Sequence, residues 1–156
     1  MTQQPKWLTP EEQVAWRSVV RMHEKLAGRL SRHLQQDANL SPADFAVLVD
    51  LSEAPDGRKR HVELSRCLEW EKSRMSHQIS RMAQRGLVAR QECREDGRGA
   101  FVVITPKGME TIKAAVPRHV EVVRDLFVDL LTPGELRQFA LLANRVTEHV
   151  EGASSV

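Results

Sequence analysis

Four Ser/Thr-Pro dipeptides fix where most of this chain turns helical, and one long gap between them holds something else. Thr9-Pro10-Glu11-Glu12 and Thr132-Pro133-Gly134-Glu135 are capping boxes. In each, a hydroxyl serves an orphan N–H, proline takes the first helical position and glutamate reaches back. Ser41-Pro42-Ala43-Asp44 has the same form with a shorter acid; Thr105-Pro106 keeps the cap and the proline without the acid. From Thr9 a helix is predicted to about Gln36, with Val19, Met22, Leu26, Leu30 and Leu34 at three- and four-residue steps. From Ser41 a second carries Phe45, Leu48, Val49 and Leu51 and stops at Ala54-Pro55-Asp56-Gly57. After Thr105, Met109, Ile112, Val116, Val120, Val123, Phe127 and Leu130 recur at near-heptad intervals, with Pro117 expected to kink the run. A last helix after Thr132 carries Leu136, Phe139, Leu142 and Val146, and Gly152–Val156 reads as a frayed tail.

The gap reads as two short helices and a hairpin. Val62 to Leu68 is the first helix; Glu71 or Lys72 to Gln84 is the second, with Gly86 where a left-handed residue is wanted. Leu87–Gln91 and Ala100–Ile104 are strand-like, and Glu92–Gly99 form a basic tip. The predicted fold class is mainly α with a small β-hairpin (α+β), in one domain over 1–156. Within it a module at 41–104 is bracketed by long amphipathic helices at 9–36 and 106–150. A 25-residue helix spans roughly 37 Å, more than so small a module can cover. A second copy, packed as a symmetric homodimer, is the economical way to bury its stripe. A monomeric bundle around a helical hairpin is the other reading.

Composition sharpens this through its distribution. The net charge is only +2, yet residues 58–98 hold eleven Lys/Arg against six acids. That segment carries +5 and leaves −3 for the rest. Positive charge gathered on one sub-region points to a polyanionic partner. A modest total argues against a sequence-blind, histone-like binder. Apolar residues make up 41%, enough for a core. No run is long enough for a membrane span, and the polar start MTQQPK is no signal peptide, so a cytoplasmic protein without membrane attachment is expected.

The helix 72–84 has two unlike halves. With Arg74 at zero and about 100° per residue, Met75, Ile79 and Met82 fall at roughly 80–140°. Ser73, His77, Ser80, Arg81 and Gln84 fall at roughly 240–340°. The polar half offers arginine for guanine O6/N7, a histidine, and hydroxyls for phosphates or bases, as reading double-stranded DNA in the major groove requires. The DNA-binding set read from this pattern is Lys72, Ser73, Arg74, Ser76, His77, Ser80 and Arg81, with Arg85 and Lys72 at the helix ends suited to phosphates, and Arg90 and Arg98 from the hairpin. Arg98 stands between Gly97 and Gly99, which take side-chain bulk away and suit insertion into a narrow, negative minor groove. Trp70, between the two short helices, is expected in the core where they cross.

The hairpin motifs are specific. Gly86-Leu87-Val88-Ala89-Arg90, then Asp96-Gly97-Arg98, then Ile104-Thr105-Pro106-Lys107-Gly108 resembles the pattern of the MarR family of winged helix-turn-helix regulators, with no insertion between motifs. The resemblance extends over nearly the whole chain. It implies a winged helix-turn-helix module flanked by long dimerisation helices. It also implies that Arg98 enters the minor groove, that Asp96 orients the wing, and that the fourth helix reads the major groove of a pseudo-palindromic operator. Departures are Ile104 for leucine, Trp70 for a smaller apolar residue, and Gly97 where arginine is frequent. The family's effectors are small aromatic or phenolic acids bound between the dimer helices and the DNA-binding module. Trp16 and His23 are the candidate lining residues. The resulting expectation is a ligand-responsive homodimeric repressor.

Two alternatives stay open. Arg66 and Arg94 adjoin Cys67 and Cys93 and can lower a thiol pKa, which is the basis of a redox-sensing reading. A winged helix can also serve as a protein-interaction module that never touches DNA. The six histidines form no i, i+4 pair, so no metal site is expected, nor any cofactor. With no phosphate loop, nucleophile elbow or carboxylate cluster, enzymatic function has no support.

Overall fold

All four Ser/Thr-Pro sites begin helices in the computed structural model, which describes residues 6–92 and 99–153. The element order is α1 (Pro10–Ala38), α2 (Pro42–Glu53), β1 (Arg58–Arg60), α3 (His61–Cys67), α4 (Lys72–Gln84), β2 (Val88–Glu92), β3 (Ala100–Ile104), α5 (Pro106–Leu126) and α6 (Pro133–Ala153). This is a mainly helical winged-helix fold with a small antiparallel sheet. No helix among the described residues is long and apolar enough to cross a membrane.

Two departures from the sequence reading have simple causes. The sheet has three strands in the order β1-β3-β2, not two. β1 is only Arg58-Lys59-Arg60, too short and too polar to show alternation. The apolar run expected to continue through Leu130 leaves the α-helix at Leu126, and a 3-10 turn follows over Val128–Leu130. α5 remains helical through Pro117.

Strand register decides which side chains face the core. β3 pairs with β1 (Arg58 with Val103, Lys59 with Val102, Arg60 with Phe101) and with β2 (Val88 with Ile104, Arg90 with Val102). Val88, Val102 and Ile104 share the inner face and are buried. Lys59 and Arg90 lie on that same face, so each reaches a helix. Lys59 Nζ is 2.8 Å from Asp50 Oδ1 of α2, and this hydrogen bond holds the ammonium above the ordinary lysine pKa. On the outer face Arg58 and Arg60 lie over the Phe101 ring, at 4.8 and 5.0 Å from its centroid.

The chain divides into two compact units, Met1–His119 and Val120–Val156. The core of the first is built from Leu40, Val47, Leu48 and Leu51, then Leu64, then Met75, Ile79 and Met82, with Leu87, Val88, Val102 and Ile104 from the sheet. It does not stop at residue 104: Ile112 and Ala115 of α5 belong to it, and Ala38 of α1 packs against it. Gly86, at φ 74, turns the chain from α4 into β2. The Thr105 hydroxyl lies 2.6 Å from the Gly86 carbonyl and 3.0 Å from that of Leu87, and accepts the Gly108 N–H at 3.0 Å. One side chain thus caps α5 and ties it to the start of β2. In the second unit the rings of Phe127 and Phe139 meet edge-on at 5.1 Å, and Thr132 and Glu135 form the reciprocal cap of α6.

Candidate nucleic-acid interface

α4 is the element with two committed faces. Met75, Ile79 and Met82 are fully buried, as their spacing requires. Lys72, Ser73, Arg74, His77 and Arg81 are exposed on the rest of the helix. Burying three large apolar side chains stabilises the helix by several kcal/mol, at roughly 1.5–3 each. That anchors the opposite face. The side chains of Lys72, Ser73 and His77 make no hydrogen bond or ion pair among the described residues. The Arg74 guanidinium stacks on the Trp70 ring, 4.3 Å from its centroid. Trp70 itself is half-buried against the core rather than inside it.

Five residues expected at DNA hydrogen-bond through their side chains within the fold: Ser76, Ser80, Arg81, Arg85 and Arg90. Arg85 is half-buried: its Nη1 donates to Asp44 Oδ2 at 2.6 Å, and its Nη2 donates to the Asn39 carbonyl at the end of α1. Arg85 is thus held from two sides by the fold, at the end of the helix where a phosphate contact is expected. Arg90 donates from Nη2 to the Ser76 carbonyl at 3.0 Å and to Ser80 Oγ at 2.9 Å. It braces β2 against α4, because the register places it on the inner face. Ser76 Oγ is 3.2 Å from His61 Nε2, and burial, followed by the charges of Arg90 and Lys72, lowers the His61 pKa. Arg98 and Asp96 lie outside the described residues, as does Cys93.

The residue that sequence reasoning undervalued is Asp44. It is buried at 4% exposure and was legible only as the short acid of a capping box. It does cap α2, accepting the Ser41 N–H at 2.9 Å, and its own N–H donates to Ser41 Oγ at 3.0 Å. It also accepts Gln78 Nε2 at 2.6 Å and the Arg85 guanidinium. Gln78 is buried too, a polar residue three positions from Met75 on the apolar side of α4. Its Oε1 accepts Arg81 Nη2 at 2.8 Å. A glutamine at that position was the only signal in the sequence.

Trp16 and His23 are exposed on α1. A crevice that α1 helps form lies further along, lined by His33, Leu34, Asp37 and Ala38 with Ala115, Arg118 and His119 of α5. There the His119 ring stacks on Phe45 at 4.4 Å, and burial lowers the His119 pKa. Cys67 is exposed, 3.9 Å from Lys59 Nζ. No group of three potential metal ligands occurs among the described residues.

Comparison with known proteins agrees with this arrangement. The MarR family model matches residues 38–99. Curated protein sequences give no match. The chain is 39% identical to AbsC, a MarR family transcriptional regulator from Streptomyces coelicolor, with a TM-score of 0.90 over 95% of this chain and 99% of that one. It is 36% identical to Sco3205, a MarR family transcriptional regulator from the same organism solved in complex with DNA, with a TM-score of 0.89 over 95% of this chain and 92% of that one. BpsR of Bordetella bronchiseptica shares the fold at 21% identity, with a TM-score of 0.76 over 91% and 98% of the two chains.

Proposed function

This chain belongs to the MarR family of DNA-binding transcriptional regulators, and on that premise we propose that it acts as a homodimeric, ligand-responsive repressor in the cytoplasm. The observation that carries the reading is α4. An exposed row of Lys72, Ser73, Arg74, His77 and Arg81 stands on a fully buried apolar face. Such a helix enters the major groove as a rigid body, with arginines able to reach guanine edges. Arg98 enters the adjacent minor groove from the wing, oriented by Asp96. Lys72 meets the phosphate backbone.

The dimer reading rests on apolar surface at both ends of the chain. Val14, Trp16 and Val19 are exposed on α1, and Phe139, Leu142, Val146 and Val150 on α6. Those of α6, and Trp16 with Val19 on α1, recur at helical spacing, the pattern of a face that a second copy covers. Two copies present two recognition helices, so the operator is pseudo-palindromic, with half-sites about one helical turn apart. The effector is a small aromatic or phenolic compound, with Trp16 and His23 on the helix face that the partner covers. Two proteins of this fold are described with such ligands: an organohalide-sensing regulator with 2,4-dichlorophenol, and BpsR, whose DNA binding 6-hydroxynicotinic acid regulates. The effector lowers affinity by favouring a different separation of the recognition helices.

Selection of bound fragments from the source genome tests this. The expected outcome is a two-fold symmetric site bound by a species of about twice 17.7 kDa in sedimentation. A clean monomer at micromolar concentration refutes the dimer. Absence of salt-dependent binding to any duplex refutes DNA recognition and favours the interaction-module alternative.

A further inference from the structure

We infer that Gln78 is a positioning residue for sequence recognition: it holds the Arg81 guanidinium where it meets a base edge, and Asp44 in turn holds Gln78. The inference rests on the reading of α4 as the major-groove helix. Its basis is a chain of hydrogen bonds in which each atom has one possible role. An ionised carboxylate only accepts, so the Gln78 amide must turn its Nε2 toward Asp44 Oδ1, at 2.6 Å. That leaves Oε1 facing outward. A guanidinium only donates, and Arg81 Nη2 lies 2.8 Å from that oxygen.

Other side chains of similar length fail one neighbour or both. Glutamate accepts from Arg81 but sets a second carboxylate against Asp44. Lysine or arginine donates to Asp44 but repels Arg81. Methionine fits the apolar face beside Met75, Ile79 and Met82 yet does neither. Gln78 is 4% exposed, so its amide cannot find water partners instead. A long arginine side chain loses much rotamer freedom when fixed. Here part of that ordering is complete before DNA arrives, which strengthens and sharpens the contact.

Asp44 gives the relay its far end. The same carboxylate holds Arg85, whose second nitrogen donates to the Asn39 carbonyl. Asn39 is the left-handed cap of α1, at φ 51. The base-reading arginine is thus tied through three side chains to the end of α1.

The test is duplex titration of full-length variants against a panel of single-base changes, at several salt concentrations. Arg81→Ala is expected to reduce discrimination about tenfold at one position of each half-site. Gln78→Met is expected to reduce it at that same position, about threefold, with the salt slope of the wild type because no charge is lost. Combined, the two are expected to match Arg81→Ala alone. Gln78→Glu keeps the acceptor for Arg81 but loses the donor to Asp44, and is expected to lose less of the preference than Gln78→Met. If Gln78→Met fails to fold, Gln78→Asn takes its place, one methylene too short to reach both partners. Should Arg81→Ala change the preference while Gln78→Met or Gln78→Asn keeps it or changes a different position, the relay is refuted and the reading of α4 stands. If Arg81→Ala leaves every preference unchanged, Arg81 reads no base and the relay is refuted.

Discussion

The same substitution, glycine to alanine, is expected to have opposite effects in α1 and α5. A Cβ at Gly108 would sit 2.1 Å from the Leu87 carbonyl oxygen, roughly 1 Å inside the closest contact a Cβ tolerates. That oxygen belongs to backbone and cannot rotate away. Relief requires the first turn of α5 to back off from the start of β2. The shift stretches the Thr105 N–H bond to Leu87 O, now 3.1 Å, and the Thr105 hydroxyl contacts with Gly86 and Leu87. Each lost hydrogen bond costs about 1 kcal/mol, and overpacking adds about 1–3 kcal/mol. Alanine's better helix propensity returns only about 1 kcal/mol. The net loss is about 2–4 kcal/mol, a fall in Tm of about 5–15 °C for a chain of this size. At Gly28, in the interior of α1, nothing lies within 4 Å of the added carbon. There only the propensity acts, and Gly28→Ala is expected to gain about 0.5–1 kcal/mol and raise Tm by a few degrees. Thermal unfolding followed by circular dichroism decides, at one fixed protein concentration because association shifts Tm. A Gly108→Ala variant melting at or above the wild type would refute the close-approach argument.

Other perturbations follow from the same geometry. Arg98→Ala is expected to weaken binding to all sequences and flatten the salt slope by about one unit per site, leaving the core consensus intact, whereas Arg74→Ala changes the consensus symmetrically in both half-sites. Wild-type binding by Arg98→Ala on every duplex removes the wing from the interface. Serine at both Cys67 and Cys93 is expected to leave DNA affinity and its response to peroxide unchanged; release of DNA by peroxide from the wild type but not from the double variant establishes the thiols as sensors. Burial depresses the pKa of His61 and His119 in the folded state, so as pH falls below about 6.5 the unfolded chain takes up protons first. Stability present above that pH is therefore expected to decline through the window down to the folded-state pKa values, and His119→Gln to remove part of the decline; an identical pH dependence of Tm in that variant excludes His119 as a contributor.

The sequence by itself determined the helices, because their signals are local. A hydroxyl and a proline, followed in three of the four cases by an acid, define a helix start whatever packs against it, and all four starts are present. The two faces of α4 were equally legible, since the period of Met75, Ile79 and Met82 belongs to the helix and not to its neighbours. Which polar side chains find partners within the fold was not. Arg85, Arg90 and Arg81 are chemically alike in the sequence, yet one is held by Asp44, one braces β2 against α4, and one is presented through Gln78. Those assignments depend on partners 41, 14 and 3 residues away and on a strand register that puts Arg90 inward. β1 has no local signature either: three basic residues become a strand only because β3 offers an unpaired edge. Periodicity reports what a segment does with its own backbone. The fate of a side chain that can donate to many acceptors is decided by which acceptor the tertiary fold brings within 3 Å, and only the structure fixes that.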